Sequence, residues 1–167
     1  MKQLFNFSKI FLISFIVVSC GGSTVVSNKS AEDTTTMVVS DTIKEQTEPW
    51  MADQLLDPAE LAKTLGDKSA TQPYIFSIGP SGDILGSTDI GPLTDTLNLN
   101  TFKSALESLD RNTEIVIYCG CCPFENCPNI RPGFELLNNM NFTNHKLLNL
   151  PKNLKVDWID KGYPMQE

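Results

Sequence analysis

The chain reads as an α/β protein built on a mostly parallel central sheet. Three observations point there. Two short apolar runs, residues 74–78 and 114–118, lack the polar alternation of a strand with one wet face, so they suit a sheet covered on both sides. Segments with helical spacing of apolar residues precede, separate and follow them. Capping and breaking residues fall at the joints between the two kinds of segment.

Residues 49–167 carry these signals, enough chain for one small domain. Asp57 can cap a first helix, Pro58 suits its first position, and Glu60 completes a capping-box-like arrangement. Leu61 and Leu65 share a face of that helix, and Gly66 is its stop. Tyr74-Ile75-Phe76-Ser77-Ile78 is a buried strand ended by the Gly79-Pro80-Ser81-Gly82 turn. Residues 97–109 contain a helix with Phe102, Ala105, Leu106 and Leu109 on one side. Glu114-Ile115-Val116-Ile117-Tyr118 is the strongest strand, its β-branched run suited to the middle of the sheet. A helix around 131–140 places Phe134, Leu137 and Met140 together, residues 146–150 form a strand, and residues 154–160 a last helix, stopped by Gly162 and Pro164.

The region before residue 49 has a different composition. Lys2 and Lys9 make a basic start, and residues 10–18 are an apolar run too short for a bilayer-spanning helix but suited to a secretory signal. It ends Val17-Val18-Ser19-Cys20-Gly21, which resembles a bacterial lipoprotein signal. That resemblance implies cleavage before Cys20 and acyl chains, palmitate among them, on its thiol and new amine. The alternative is an ordinary signal peptide or uncleaved anchor in which Cys20 is incidental. Residues 20–48 show no sustained period and read as a flexible tether, with at most a lone β segment at 37–40. The expected organisation is a signal peptide at 1–19, a tether at 20–48 and a folded domain at 49–167. Gly21-Gly22 supplies no Asp that would retain a lipoprotein at an inner membrane, so the expected location is the outer membrane, facing the periplasm.

The net charge is −7, and −9 without Lys2 and Lys9. This acidic balance argues against a nucleic-acid partner, which calls for a basic face. The five cysteines are the most telling count. Apart from Cys20 they are Cys119, Cys121, Cys122 and Cys127, all within one stretch. That stretch follows the best strand and precedes a helix, where open α/β sheets hold their ligands and helix N–H groups favour an anion or thiolate.

In this order the pieces resemble a rhodanese-like domain, over residues 55–164. Asp57-Pro58-Ala59-Glu60-Leu61 resembles the start of that family's first helix. Ile84-Leu85-Gly86-Ser87, followed by Ile90-Gly91, resembles its Ile-x-Gly-Ala segment. Ile115-Val116-Ile117-Tyr118-Cys119 resembles the strand that delivers the active-site cysteine, and Trp158 through Gly162-Tyr163-Pro164 resembles the terminal Trp-x-x-x-Gly-Tyr-Pro. The resemblance implies a three-layer fold and a sulfurtransferase or regulatory role. It makes Cys119 the nucleophile that accepts a sulfane sulfur. The chain departs from the pattern in three places. The loop from Cys119 to Arg131 is longer than the family's and carries three extra cysteines, Ser77-Ile78-Gly79 replaces an Asp-x-Arg, and Pro151-Lys152 replaces a Gly-Gly turn. Phosphatase relatives of the fold need the short loop and are discounted.

Three readings of the thiol loop stand open. In the first, Cys119 does sulfur-transfer or thiol–disulfide chemistry, Arg131 supplies positive charge, and Cys121, Cys122 and Cys127 are auxiliary thiols. Glu125 disfavours a dianionic donor, so a thiol or protein acceptor fits better, and no resident cofactor is required. In the second, Cys119, Cys121, Cys122 and Cys127 bind Cu(I) or Zn(II) without catalysis. In the third, two disulfides stiffen an interaction domain. His145 is expected to be a surface or capping residue, and Trp50 and Trp158 packing residues. Pro123, Pro128 and Pro132 shape the loop, with room for one cis bond.

Overall fold

The computed structural model describes residues 48–167. The expected signal peptide, tether, β segment at 37–40 and lipidation at Cys20 therefore lie outside the described residues. No described helix is long and apolar enough to cross a membrane.

Five strands form one sheet: β1 (Leu55–Leu56), β2 (Tyr74–Ser77), β3 (Ser87–Asp89), β4 (Ile115–Tyr118) and β5 (His145–Leu148), in the order β1-β5-β4-β2-β3. Every pairing is parallel, with Ser77 opposite Tyr118 and Ile117 opposite Leu147. Among the described residues, one antiparallel bridge, Ile84 to Met165, ties residues near the chain end to the loop before β3. Four helices cover the sheet: α1 (Pro58–Gly66), α2 (Thr96–Glu107), α3 (Ile130–Asn139) and α4 (Leu154–Asp157). The α/β class with a parallel central sheet is thus as the sequence predicts.

Two apolar clusters explain why the central strands carry continuous rather than alternating hydrophobicity. Ile115, Ile117 and Cys119 face the side covered by Phe102 and Leu106 of α2 and Phe134 and Leu137 of α3. Val116 and Tyr118 face the other side, with Leu61 of α1, Leu154 of α4 and Trp158. A strand buried on both faces leaves no position for a polar residue.

Several boundaries differ from expectation. β1 and β3 are two and three residues long, too short to leave a periodic signal. At α1 the Asp57 carboxylate accepts from the Ala59 N–H at 2.7 Å, with Pro58 at the first position as expected. The last helix stops at Asp157 because Trp158 leaves helical geometry (φ −131°, ψ −63°), after which a short 3-10 turn, Ile159–Lys161, follows. Trp158 is fully buried and its indole N–H donates to Pro164 O, so burying the ring takes precedence over continuing the helix. Trp50 packs edge-on to Phe124 and Phe134, so both tryptophans are packing residues.

His145 corrects the expectation of a surface residue. It is the first residue of β5, buried, with its ring 4.6 Å from Phe134. Its backbone pairs opposite Ile115, and that register turns the imidazole into the interior.

Candidate thiol site

The sheet order creates the site. From β2 the chain leaves toward β3 on one side, and from β4 it leaves toward β5 on the other. Adjacent parallel strands whose connections diverge leave a crevice at their carboxyl ends. Cys119 is the first residue after β4 and lies in that crevice, against the residues that follow β2.

Gly79 and Gly120 make the position possible. A Cβ at Gly79 would overlap the Cys119 Sγ and lie 2.8 Å from the Cys119 carbonyl oxygen, so only glycine lets the two strand ends close. Gly120 has φ +76°, and a Cβ there would lie 2.6 Å from Ser81 Oγ and 2.8 Å from Leu154 Cβ. The peptide turns at that point and is held on both sides. Ser81 Oγ donates to Cys119 O, and the Leu154 N–H at the start of α4 donates to Gly120 O at 2.8 Å.

Beyond this turn the sulfurs converge. Cys119 Sγ lies 3.3 Å from Cys121 Sγ, and Cys121 Sγ lies 3.4 Å from Cys122 Sγ. The 3-10 turn Phe124–Asn126 brings Cys127 back toward β4, so that Cys119, Cys121 and Cys127 place their sulfurs within 4.8 Å of one another. Cys122 is outside that group. Cys119 and Cys127 are 2% and 3% exposed, whereas Cys121 is exposed. All four thiols are free.

Asn129, which the sequence reading did not single out, organises the trio. Its side chain is buried just before α3, its Nδ2 donates to Cys119 Sγ at 3.5 Å, and its Oδ1 accepts from the Thr94 N–H at 3.1 Å. The second bond fixes the amide so that its donor end faces the sulfur. An Asn before a helix is ordinarily read as a cap, and nothing local distinguishes this one. Gly79 was legible only as a turn residue, because its contact depends on the β2–β4 register.

The electrostatics are asymmetric. Hydrogen bonds from the Cys127 thiol, the Asn129 amide and Cys121 hold the Cys119 thiol down at about 5, against the opposing effect of burial. Burial pushes the Cys121 thiol up to about 12, helped by its own donation to Cys119 and Cys122. Donation to Cys119 pushes Cys127 up as well. One sulfur holds the negative charge and the others serve it as donors.

Arg131, expected to supply positive charge to the loop, is engaged by an acidic partner. Its guanidinium pairs with Glu48 at 2.7 Å and lies over the Trp50 ring, and it is not among the groups that hold Cys119 down. With Glu48, Glu125, Asn126, Cys127 and Pro128 it lines a cleft of about 380 Å³ on the Cys127 side. Neutral donors within the loop take the place of the expected cation, because the long loop folds back on its own strand. The first N–H of α3, that of Ile130, is spent on Cys127 O at 3.3 Å.

Three soft sulfur donors this close could hold one thiophilic ion, with Cys119, Cys121 and Cys127 as ligands. No protein-family model, curated protein or solved structure matches the chain.

Proposed function

We propose that this is a rhodanese-like protein in which Cys119 accepts a sulfane sulfur as a persulfide, tethered to the envelope membrane by lipid on Cys20. The observation that carries the reading is a buried sulfur at the end of the central strand, with the Asn129 amide donating to it at 3.5 Å and the Cys121 sulfur at 3.3 Å. A thiolate is the nucleophile in sulfur chemistry, and hydrogen bonding to the charged form is one way to keep it ionised at neutral pH. The strand-to-loop placement and the Asp57, Trp158 and Gly162-Tyr163-Pro164 segments support the family reading. The lipid anchor rests on Val17-Val18-Ser19-Cys20-Gly21.

The donor class follows from the charges. Arg131 is engaged by Glu48, and Glu125 adds negative charge to the neighbouring cleft. Thiosulfate, a dianion, is disfavoured against a low-charge persulfide or polysulfide. The test is intact-mass analysis of reduced protein after exposure to cysteine persulfide, a smaller donor of lower charge, with the adduct located by alkylation and peptide mapping. The expected result is the mass of one added sulfur atom in wild type and none in Cys119→Ser. Equal loading of Cys119→Ser would overturn the proposal.

The clustering of Cys119, Cys121 and Cys127 favours one second reading, a binding site for Cu(I) or Zn(II). It predicts one equivalent of metal in protein purified without oxygen, lost in Cys127→Ser and kept in Cys122→Ser. Metal-free protein that loads sulfur would exclude it.

A further inference from the structure

The sulfur acceptor proposed above is nearly closed to solvent, and no macromolecular thiol can reach a residue that is 2% exposed. Of the three converging sulfurs only Cys121 faces outward, and it touches Cys119 at 3.3 Å. The two are held in that relation by the turn between them. Gly120 takes φ +76°, and its peptide is clamped to Ser81 and to the Leu154 N–H. Cys127 cannot serve the same purpose, because it is buried. Cys122 lies 3.4 Å from Cys121, and Cys119 reaches it only through Cys121.

We infer that Cys121 is a relay thiol, which takes the sulfane sulfur from the buried Cys119 persulfide and presents it at the surface to a thiol on a macromolecule. The inference rests on the sulfur-accepting reading of Cys119 and deepens it by assigning the acceptor class. In the relay step the Cys121 sulfur attacks the outer sulfur of the Cys119 persulfide. A bond forms between Cys121 Sγ and the sulfane sulfur, and the bond between that sulfur and Cys119 Sγ breaks. The Cys121 proton passes to the transferred outer sulfur as the Cys121 sulfur attacks it, so charge and protons balance within the pair. Cys119 departs as a thiolate, received by the Asn129 amide that donates to its sulfur at 3.5 Å. One S–S bond breaks as another forms and the sulfane sulfur keeps its oxidation level, so no oxidant or reductant is consumed. An acceptor thiolate RS⁻ then attacks the outer sulfur at Cys121, giving the acceptor persulfide and restoring the Cys121 thiol on protonation.

The geometry favours attack on the outer sulfur over attack on Cys119 Sγ. The former expels a thiolate already held by donors, and thiol–disulfide-type exchange runs faster with the better leaving group. The latter would yield a Cys119–Cys121 disulfide and hydrogen sulfide.

The experiment loads wild type and Cys121→Ser with cysteine persulfide and then offers two acceptors. Cyanide is small enough to reach Cys119, and a thiol-terminated polyethylene glycol chain is not. Loading of the mutant, read as one sulfur on Cys119, tests the underlying reading by itself: no loading of either protein sinks the sulfur-accepting role. With both proteins loaded, the expected result is that Cys121→Ser still transfers to cyanide, while the ratio of its polymer-thiol transfer to its cyanide transfer falls about tenfold or more below that of wild type. In quenched wild type, mapping should find the persulfide on Cys121 as well as Cys119. Equal transfer to the polymer by both proteins overturns the relay. So does release of sulfide from loaded wild type with formation of a Cys119–Cys121 disulfide.

Discussion

Asn129 decides the chemistry of the cluster more than any charged residue does. Its amide is fixed by the Thr94 N–H at one end and faces Cys119 Sγ with the other. Replacing it by Ala removes a donor to the thiolate, so the Cys119 thiol should rise from about 5 toward its ordinary value of 9. The rate of persulfide loading against pH should show its midpoint move upward, and an unmoved midpoint would mean that Asn129 is only structural. Gly79→Ala tests the closure of the strand ends. Its Cβ would meet the Cys119 carbonyl oxygen at 2.8 Å, so loading should fall while the sheet remains intact by circular dichroism. At this scale Cys119 and its neighbouring thiols were legible from their bunching after a strand. Arg131 was legible as a cation near the loop but not as the partner of Glu48, because that contact joins segments 83 residues apart.

At the level of elements, the strand that carries the site also anchors the loop beside it. The Tyr118 hydroxyl accepts from the Ile84 N–H at 3.0 Å, pairs with Ser87 Oγ at 3.1 Å and donates to Gly82 O at 3.2 Å. Tyr118→Phe leaves a buried N–H and a hydroxyl without that partner, which should lower stability by about 1–3 kcal/mol in urea unfolding. A loss within measurement error would show that water replaces the phenol. The central strand β4 was readable as a continuous apolar run and the helices because each buries a face with its own period, as Phe134 and Leu137 do on α3. β1 and β3 were not readable, since two or three residues carry no period and are made strands only by the neighbours they pair with.

Across the whole molecule, burial of His145 links stability to pH. Burial holds its imidazole below the ordinary 6.5, so the folded protein keeps it neutral. As pH falls through 6.5 the unfolded chain takes up a proton that the folded chain does not, and stability is lost until the lower folded value is passed. Cys119 adds to the same slope, since its thiolate is favoured in the fold between about 5 and the ordinary 9. His145→Leu removes only the imidazole contribution. Its urea midpoint should therefore fall less between pH 7 and pH 5 than that of wild type, and parallel curves would refute the assignment.

What the sequence by itself determined is what depends on local order. The α/β class follows from continuous apolar runs alternating with segments of helical period, and the location of the thiol loop follows from its position after a continuous β-branched strand. The tertiary structure alone decided which sulfur holds the charge, which faces out and what replaces the missing cation. Those outcomes depend on β2 and β4 meeting at Gly79 and on a loop folding back so that Cys127 and Asn129 reach Cys119. A thiol's acidity is set by the donors and solvent around it in space, and neither is encoded by its neighbours in the chain.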